Sequence, residues 1–429
     1  MLEEFFKLKE KGTDVRTEIV AGITTFMTMA YILFVNPDIL SAAGMPFGPV
    51  MTATAVSAAF TTILMGLYTN YPFALASGMG LNAMFAFAVA PIAGWQAALG
   101  VVFISGIVFF LLAIFGIIDY MDAAIPANLK RATSAGIGLF IAFIGLQNAG
   151  IIIHDPDTLL ALGNLTSPET LLSVIGLFVI AILMALKVRG AMLIGILLTT
   201  VISFFMGITA FPTGLGDIIG APAGLGPIVF HLDLPGALRI GFMTMFAFLF
   251  VDIFDTMGTL LGTSARADFL DEEGRLPKIK EAMIVDAIGT VAGAIVGTST
   301  VTTYVESTAG VSEGGRSGLT AVVTGILFLA SLFIAPLAGL VPGAATAPAL
   351  VIVGVLMMGG VMGIDFNDFT EAFPAFLTIL FMPLAYSIAN GIAAGFLSYP
   401  IVKFAAGRSK EVHWFTYVLA LASLIHFIA

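Results

Sequence analysis

Two carboxylates, Asp252 and Asp255, lie inside the apolar run 241–262, GFMTMFAFLFVDIFDTMGTLLG, which is long enough to cross a lipid bilayer. A carboxylate at membrane depth is costly, so such residues are rare, face a protein interior or a watery cavity, and usually serve function. Their spacing of three residues places both side chains on one face of a helix. The alternative is that they only hydrogen-bond to neighbouring helices or cap a broken helix. We rank Asp252 first among the candidate functional residues.

Two other apolar segments join an extended stretch to a short helix. Residues 71–91 begin with Pro, Ser and Gly before they become apolar, and residues 296–315 open with the β-branched run 298–305. Non-helical backbone at membrane depth is tolerated only where protein or a water-filled cavity satisfies it. Half-helices that begin there direct N–H groups and a positive dipole end towards polar ligand atoms. The junctions carry Asn82 and Glu306, so we predict that both residues belong to one central site.

Charge at this predicted site has no obvious neutralising partner. No Lys or Arg is predicted at membrane depth, and burial disfavours the charged form of a carboxylate. We therefore expect at least one of the three acids, Asp252, Asp255 and Glu306, to hold a proton or a Na⁺. We assign the coupling of transport to a proton to Asp252 and Glu306. Hydroxyl groups of the same segments could contribute further ligands: Thr256, Thr302, Thr303, Ser307 and Thr308.

Alternative roles remain for several polar residues. Asn82 could form a hydrogen bond between helices instead of contacting a ligand. Asp38, Asp286 and Asp365 lie near the ends of predicted spans, and we expect them to be caps or interface residues.

The composition identifies a polytopic membrane protein. Of the 429 residues, 59% are hydrophobic and only 10% are charged, whereas soluble domains are about a quarter charged. The chain has no cysteine, which excludes disulfides and thiolate metal sites, and its four histidines are scattered without the spacing of a metalloprotease. The charged, amphipathic beginning lacks the pattern of a cleavable signal peptide. We predict neither a metal site nor an enzyme active site.

Apolar stretches of spanning length form two sets of seven, separated by a polar break at 211–235. The first set is 18–35, 48–68, 76–91, 96–118, 130–149, 170–186 and 189–208. The second set is 238–262, 281–297, 298–315, 317–340, 345–363, 372–387 and 388–407. An odd number of spans in each half makes the second half enter from the opposite side, so the predicted repeat is inverted. A further hydrophobic helix is expected at 411–428.

The basic residues predict the orientation. With a cytoplasmic N terminus, all of the 17 Lys and Arg residues except Arg239 fall on the cytoplasmic side. We therefore expect a multi-pass protein of the cell membrane, with the loop at 209–237 outside and the loop at 264–280 inside.

Five segments resemble motifs of the AzgA-type nucleobase permeases, the hypoxanthine, guanine and adenine branch of the nucleobase–ascorbate transporter relatives. They occur in the expected order and at the expected spans: 13–37, 78–87 (GMGLNAMFAF), 250–262 (FVDIFDTMGTLLG), 298–311 (TSTVTTYVESTAGV) and 313–325 (EGGRSGLTAVVTG). The resemblance implies an all-α fold like that of the bacterial uracil permease, with about fourteen transmembrane segments in a 7+7 inverted repeat and short extended stubs in the third and tenth.

The same resemblance implies how the chain is divided into repeats and domains. The first repeat would cover 13–210 and the second 236–407, while the C-terminal hydrophobic helix at 408–429 is surplus to the family's fourteen segments. Spans 1–4 and 8–11 would form a core domain, and spans 5–7 and 12–14 a gate domain. The substrate site between spans 3, 8 and 10 matches Asn82, Asp252, Asp255 and Glu306.

The chemistry of these residues agrees with a nucleobase ligand. A nucleobase is a flat ring with hydrogen-bond donors and acceptors along its edge, which carboxylates and backbone N–H groups can recognise. Tyr304 and Phe26 could stack on its face, and Ser307 and Thr308 are further candidate contacts. We predict proton symport of a purine, with Na⁺ as the alternative coupling ion and no other cofactor. The partners are the purine and the lipid bilayer, not nucleic acid; the preferred purine and a homodimer are left open.

Three alternative functions are a carrier of another solute, a channel and an intramembrane enzyme. The nearest is a carrier of the same fold for uracil, xanthine or a small anion such as sulfate or bicarbonate, although an anion site would favour a central cation over three acids. A channel would not need this asymmetric cluster of acids, and an intramembrane enzyme would need a nucleophile–base pair or metal ligands.

Overall fold

The computed structural model describes residues 2–271 and 275–428, which form helices and four short strands. Within these residues, nine helices are long and apolar enough to cross a membrane by length and composition. The other predicted spans miss that measure for physical reasons. Spans 3 and 10 are divided between strand and helix, spans 7 and 13 have only 15 and 16 helical residues, and span 9 carries three charged residues.

The first seven spans agree closely with their predicted positions. They are Val15–Met29 with Ile32–Ser41, Phe47–Thr69, the strand β1 (Leu75–Ser77) with helices to Ala93, Trp95–Phe115, Ala127–Asn148, Pro168–Ala185 and Ala191–Phe205. A hairpin of β2 (Ile152–Asp155) and β3 (Leu159–Leu162) joins spans 5 and 6, and a short helix, Ile118–Ala124, precedes span 5. The helix Leu2–Phe5 lies before span 1.

The second seven spans repeat this order. They are Phe242–Arg266, Ile279–Val296, the strand β4 (Val301–Thr303) with the helix Ser307–Ser312, Gly318–Ala330 with turns to Ala338, Gly343–Met357 with a 3₁₀ turn to Gly363, Phe369–Leu384 and Ile388–Ala405. The connection between the halves contains the 3₁₀ turn Leu215–Asp217 and the helix Leu234–Arg239. The predicted C-terminal helix is Trp414–Ile428; it packs on spans 14 and 8, and residue 429 lies outside the described residues.

Helix packing follows the predicted repeat. Span 2 packs against span 11 and span 4 against span 9, which are equivalent pairs when each span is exchanged with the span seven places later. The same exchange relates the pair 1 and 11 to 8 and 4, the pair 5 and 13 to 12 and 6, and the pair 6 and 7 to 13 and 14. The equivalent strands β1 and β4 run antiparallel. These relations confirm two inverted repeats of seven spans.

Small residues allow the closest of these contacts. A Cβ atom on Gly318 of span 11 would lie 1.9 Å from the carbonyl oxygen of Gly66 in span 2, so no larger residue fits there without a shift. Close backbone approach through glycine is how helices pack in lipid, where burial of apolar surface gives little driving force. Spans 5, 6, 7, 12, 13 and 14 pack on one another, while spans 2, 4, 9 and 11 form a second packed group.

Candidate functional site

The centre of the molecule is a pair of short strands that satisfy each other's backbone. β1 and β4 are fully buried and pair antiparallel. The Tyr304 N–H donates to the Ala74 carbonyl and the Gly78 N–H donates to the Thr300 carbonyl, both at 2.9 Å, which extends the ladder at each end. Extended backbone can therefore persist inside the bundle without unpaired polar groups.

A half-helix follows each strand. Gly78 connects β1 to the helix Met79–Ala83, and a Cβ atom there would lie 2.7 Å from the methyl group of Thr302 on β4, so glycine permits the crossing. The helix then widens into a π turn at Met84–Val89, a distortion that is frequent at functional sites. On the other side, Glu306 comes immediately before the helix Ser307–Ser312.

Asn82 has a fully buried side chain whose amide nitrogen and oxygen both lack a hydrogen-bond partner among the described residues. The alternative role for Asn82, a hydrogen bond between helices, is therefore not what the structure contains. A buried, unpaired amide costs free energy, and native proteins rarely keep one without a ligand or another polar group to satisfy it. The helix that carries Asn82 contacts span 8, which carries both aspartates.

Glu306 is half-buried and oriented by a residue from span 1. The Tyr31 hydroxyl donates to Glu306 Oε1 at 2.8 Å, and Tyr31 lies at the interruption between the two helices of that span. This hydrogen bond uses one of the two carboxylate oxygens, so the other oxygen can accept from a ligand.

Asp255 is half-buried and lines a cavity of about 520 Å³. The cavity lies between spans 8 and 10 on one side and spans 5 and 12 on the other, with Phe254, Val305 and Ile137 among its apolar walls. Lys130 at the beginning of span 5 also lines it, with its ammonium 5.2 Å from the centre of the Phe254 ring. Asp255 is therefore the carboxylate that a solute in this cavity would meet.

Asp252 lies in a different environment, because its side chain is only 1% exposed. Asp286, which was expected from the sequence to be a cap or interface residue, is equally buried. Asp252 Oδ2 accepts from the Thr290 hydroxyl at 2.9 Å. Asp286 is 0% exposed, and its Oδ1 accepts from the Thr303 hydroxyl at 3.1 Å. The remaining oxygen of each carboxylate has no partner among the described residues. The prediction that Asp286 is a cap or interface residue is wrong, because its side chain turns inward to β4.

Hydroxyl groups near the strands mainly hold the strands in place. Thr256 on span 8 hydrogen-bonds Thr302 on β4 at 2.7 Å. Ser307 accepts from the Ala74 N–H at 2.9 Å, and Thr308 donates to the carbonyl of Val305 at 2.7 Å. Their predicted contact with substrate remains a prediction beside these structural bonds.

The two aromatic candidates also have packing roles. The Tyr304 hydroxyl donates to the Ser77 carbonyl, which ties β4 back to β1. The Phe26 ring packs edge to face on Phe328 of span 11, with 5.2 Å between ring centres. Stacking of either ring on a nucleobase remains a prediction.

Sequence reasoning missed three residues of this arrangement: Tyr31, Asp286 and Thr290. A signal existed for the last two, because Thr290 follows Asp286 by four residues and therefore lies on the same helix face. Tyr31 gave no such signal, since its partner Glu306 lies 275 residues away.

Comparison with known proteins identifies the family and the fold. The family model described as the permease family matches residues 16–394. The adenine permease AdeP of Escherichia coli is 46% identical over 431 residues, covering 100% of this chain and 96% of that protein. The guanine/hypoxanthine permease PbuG of Bacillus subtilis is 46% identical over 441 residues, covering 100% and 99%.

A solved structure supports the same architecture. The transmembrane domain of a cyanobacterium bicarbonate transporter, BicA, aligns with a TM-score of 0.64 at 17% identity, covering 89% of this chain and 97% of that one. At that identity the similarity concerns the fold alone.

Proposed function

The chain belongs to the permease family, and we propose that it is a secondary active transporter that imports purine nucleobases, namely hypoxanthine, guanine or adenine. It is a permease and not an enzyme. Relatives that share almost half of its residues over nearly their whole length are permeases for adenine or for guanine and hypoxanthine.

The observation that carries the proposal is the unpaired Asn82 amide beside spans that offer two half-buried carboxylates, Asp255 and Glu306. A purine presents ring N–H donors and ring nitrogen acceptors along its edge. An amide supplies both a donor and an acceptor, and carboxylates accept from N–H groups. A small anion has no N–H donors to offer to these acceptors, so the purine fits these groups better.

The cavity at Asp255 gives the proposed route. Its volume of about 520 Å³ lies within the range of about 300–1,000 Å³ that is usual for small-molecule sites. It separates spans 8 and 10 from spans 5 and 12. We propose that spans 1–4 and 8–11 move as a core domain against a gate domain of spans 5–7 and 12–14, by an elevator-like or rocking motion, and expose the site alternately to the two sides.

Proton coupling is proposed for the carboxylates that no cation neutralises. Asp252 and Asp286 each keep one oxygen without a partner, and neither forms an ion pair with a described Lys or Arg. A buried carboxylate in that situation favours its protonated form. Glu306 could exchange a proton at the substrate itself, and Na⁺ is the alternative ion.

We propose a cytoplasmic N terminus in the cell membrane. The chain has no cysteine, so single cysteines can report sidedness. Thr213→Cys and Asp268→Cys place the label at exposed positions in the two loops between spans 7 and 9. An impermeant thiol reagent on intact cells should label position 213 only; labelling of 268 alone would reverse the orientation.

Competition uptake tests the proposed substrate. Cells that express the protein should accumulate radiolabelled hypoxanthine, guanine or adenine, and the unlabelled forms of these three bases should compete while uracil, xanthine and sulfate do not. An uncoupler should abolish accumulation, and removal of Na⁺ should leave it unchanged. Competition by uracil or xanthine but by none of these three bases would contradict the assignment to hypoxanthine, guanine and adenine, and dependence on Na⁺ would contradict proton coupling.

A further inference from the structure

A second cavity, larger than the one at Asp255, lies at the ends of spans 2 and 8 and the beginnings of spans 9 and 11. Its volume is about 710 Å³, and the N-terminal segment before span 1 completes its wall. None of its lining residues lines the cavity at Asp255. It therefore needs an explanation that is independent of the proposed transport site.

Four basic side chains line this cavity: Lys7, Lys11, Lys278 and Arg316. Lys11 donates to the carbonyls of Asn70 and Arg316, Lys278 donates to the carbonyl of Thr69, and Arg316 donates to two carbonyls of its own segment. Among the described residues, none of these three cations forms an ion pair with a carboxylate. Carbonyl oxygens orient the side chains but do not neutralise their charge.

Among the described residues, the acids near this cavity are Asp268 in its wall and Glu10, Glu18 and Glu281 outside the wall. Asp268 is the one carboxylate among the described lining residues, and Lys7 pairs with Glu10 at 3.3 Å outside the cavity. Glu18 lies behind the wall, where its carboxylate accepts from the N–H groups of residues 316, 317 and 320. Four basic side chains and one carboxylate therefore line the cavity among the described residues.

Lys11 is partly buried among these charged side chains. Burial, together with the neighbouring charges of Lys278 and Lys7, lowers the pKa of Lys11 to about 8, against the opposing effect of Glu18. Its ammonium lies 5.7 Å from the ring centre of Tyr71 and 5.8 Å from that of Phe269, which holds the cation over two aromatic faces. The positive charge is thus kept in a partly buried place that an anion would stabilise.

The rim of the cavity is apolar and exposed. Phe5, Leu67 and Tyr68 all line it, and all three are exposed large side chains. An aromatic and aliphatic rim beside basic groups is the arrangement that membrane-interface sites present to a lipid, with acyl chains on the rim and the head group against the cations.

We propose that this cavity binds a phosphate-bearing anion, either the head group of an anionic lipid or a free phosphate compound. Phosphate suits the site because it offers several acceptor oxygens to several donors at once and carries more charge than a carboxylate. The exposed rim favours the lipid as its source. The site would tie the N-terminal segment to spans 2, 9 and 11, apart from the purine path.

Lipid binding can be measured on the purified full-length protein by native mass spectrometry. Phosphatidylglycerol and phosphatidylcholine are added in equal amounts, and the wild type should retain phosphatidylglycerol selectively. Lys11→Gln with Lys278→Gln should weaken that binding about 25-fold, from about fivefold for each lysine near an anionic group. The matched control, Lys9→Gln with Lys410→Gln, removes two exposed lysines outside the cavity and should behave like the wild type.

Two further measurements make the outcome decisive. Inorganic pyrophosphate should displace phosphatidylglycerol if free phosphate compounds are the ligand, and should leave it bound if the head group needs its acyl chains; either result supports a phosphate site and identifies its source. Lys278→Gln alone should lower the affinity for phosphatidylglycerol about fivefold. Because Lys278 is exposed, this variant should fold and tests the proposal even if the double variant does not fold. The proposal would be overturned if Lys278→Gln bound phosphatidylglycerol and pyrophosphate as well as the wild type does. It would also be overturned if the wild type neither preferred phosphatidylglycerol over phosphatidylcholine nor bound pyrophosphate.

Discussion

Asp255 and Glu306, the cavity pair, and Asp252 and Asp286, the buried pair, belong to the same three neighbouring spans but meet different surroundings. Members of the cavity pair are half-buried; Asp255 lines the cavity, and Glu306 is held by Tyr31. Members of the buried pair are at most 1% exposed, and each has one oxygen bonded to a threonine and one without a partner.

The comparison separates two tasks that the proposed symport must combine. A solute in the cavity meets Asp255 directly, and Glu306 follows Val305 of the cavity wall by one residue, so we assign these two carboxylates to recognition of N–H groups. The buried pair is closed to a purine, and a small cation is the partner that its free oxygens can take. β4 bonds to span 8 through Thr256 and to span 9 through Thr290 and Asp286, so we expect a change at one pair to affect the other.

The largest effect on binding is expected for Glu306→Gln. The amide loses one acceptor and directs donors at the N–H groups of the base, so purine affinity should fall about 100-fold. Binding to the purified variant by calorimetry measures this. Glu313→Gln is the matched control, because Glu313 pairs with Arg189 instead of facing the cavity. Near-normal purine affinity in Glu306→Gln would contradict the role in purine recognition that we assign to Glu306.

Asn82→Leu should weaken binding about tenfold without destabilising the empty protein. The substitution removes a buried amide that has no partner, and replacing such a group by an apolar one of similar shape is nearly neutral or stabilising. Affinity and thermal unfolding without substrate are measured on the same preparation. A marked fall in the unfolding temperature would mean that the amide supports the fold.

A smaller loss, about fivefold, is expected for Asp255→Asn. Asp255 is half-buried. We expect it to accept one ordinary hydrogen bond from the base, worth about 1 kcal/mol, which is less than the contact at Glu306. Inhibition constants for a series of purines would show which edge it reads. The ranking fails if Asp255→Asn loses more affinity than Glu306→Gln.

Asp368 contrasts with both pairs because it has a cation partner, and its replacement should have the smallest effect. The hydrogen bond from Arg408 lowers the pKa of Asp368 from 3.8 to about 2. A lowered folded-state pKa gives stability that is present above about pH 4 and is lost as the pH falls through 2. Asp368→Asn should leave purine transport unchanged and flatten the fall of the unfolding temperature between pH 4 and pH 2. Loss of transport would show that carboxylates far from the cavity also matter.

Much of the fold could be predicted because the bilayer imposes length and composition on each span. The interruptions at 71–91 and 296–315 were visible as Pro, Gly and β-branched runs, and the structure places antiparallel strands there. Helix ends differ from prediction by a few residues, since apolar residues continue past the last helical turn.

Side-chain pairing within the site could not be predicted in the same way. Span 9 is apolar on most faces, so periodicity does not reveal which of its faces turns inward, and Asp286 was expected near the end of that span. Partners also come from distant parts of the chain: Tyr31 bonds Glu306 across 275 residues, and Asn36 bonds Thr298 across 262. Such contacts depend on the crossing of β1 and β4, which only the assembled bundle determines.

Asp252→Asn in proteoliposomes tests most directly the claim that the buried pair carries the coupling proton. The asparagine imitates the protonated acid, so we expect purine counterflow to continue while an imposed pH gradient no longer drives accumulation. Asp286→Asn should show the same separation, and Asp368→Asn should retain both activities. Accumulation of purine by Asp252→Asn under the pH gradient would contradict the account.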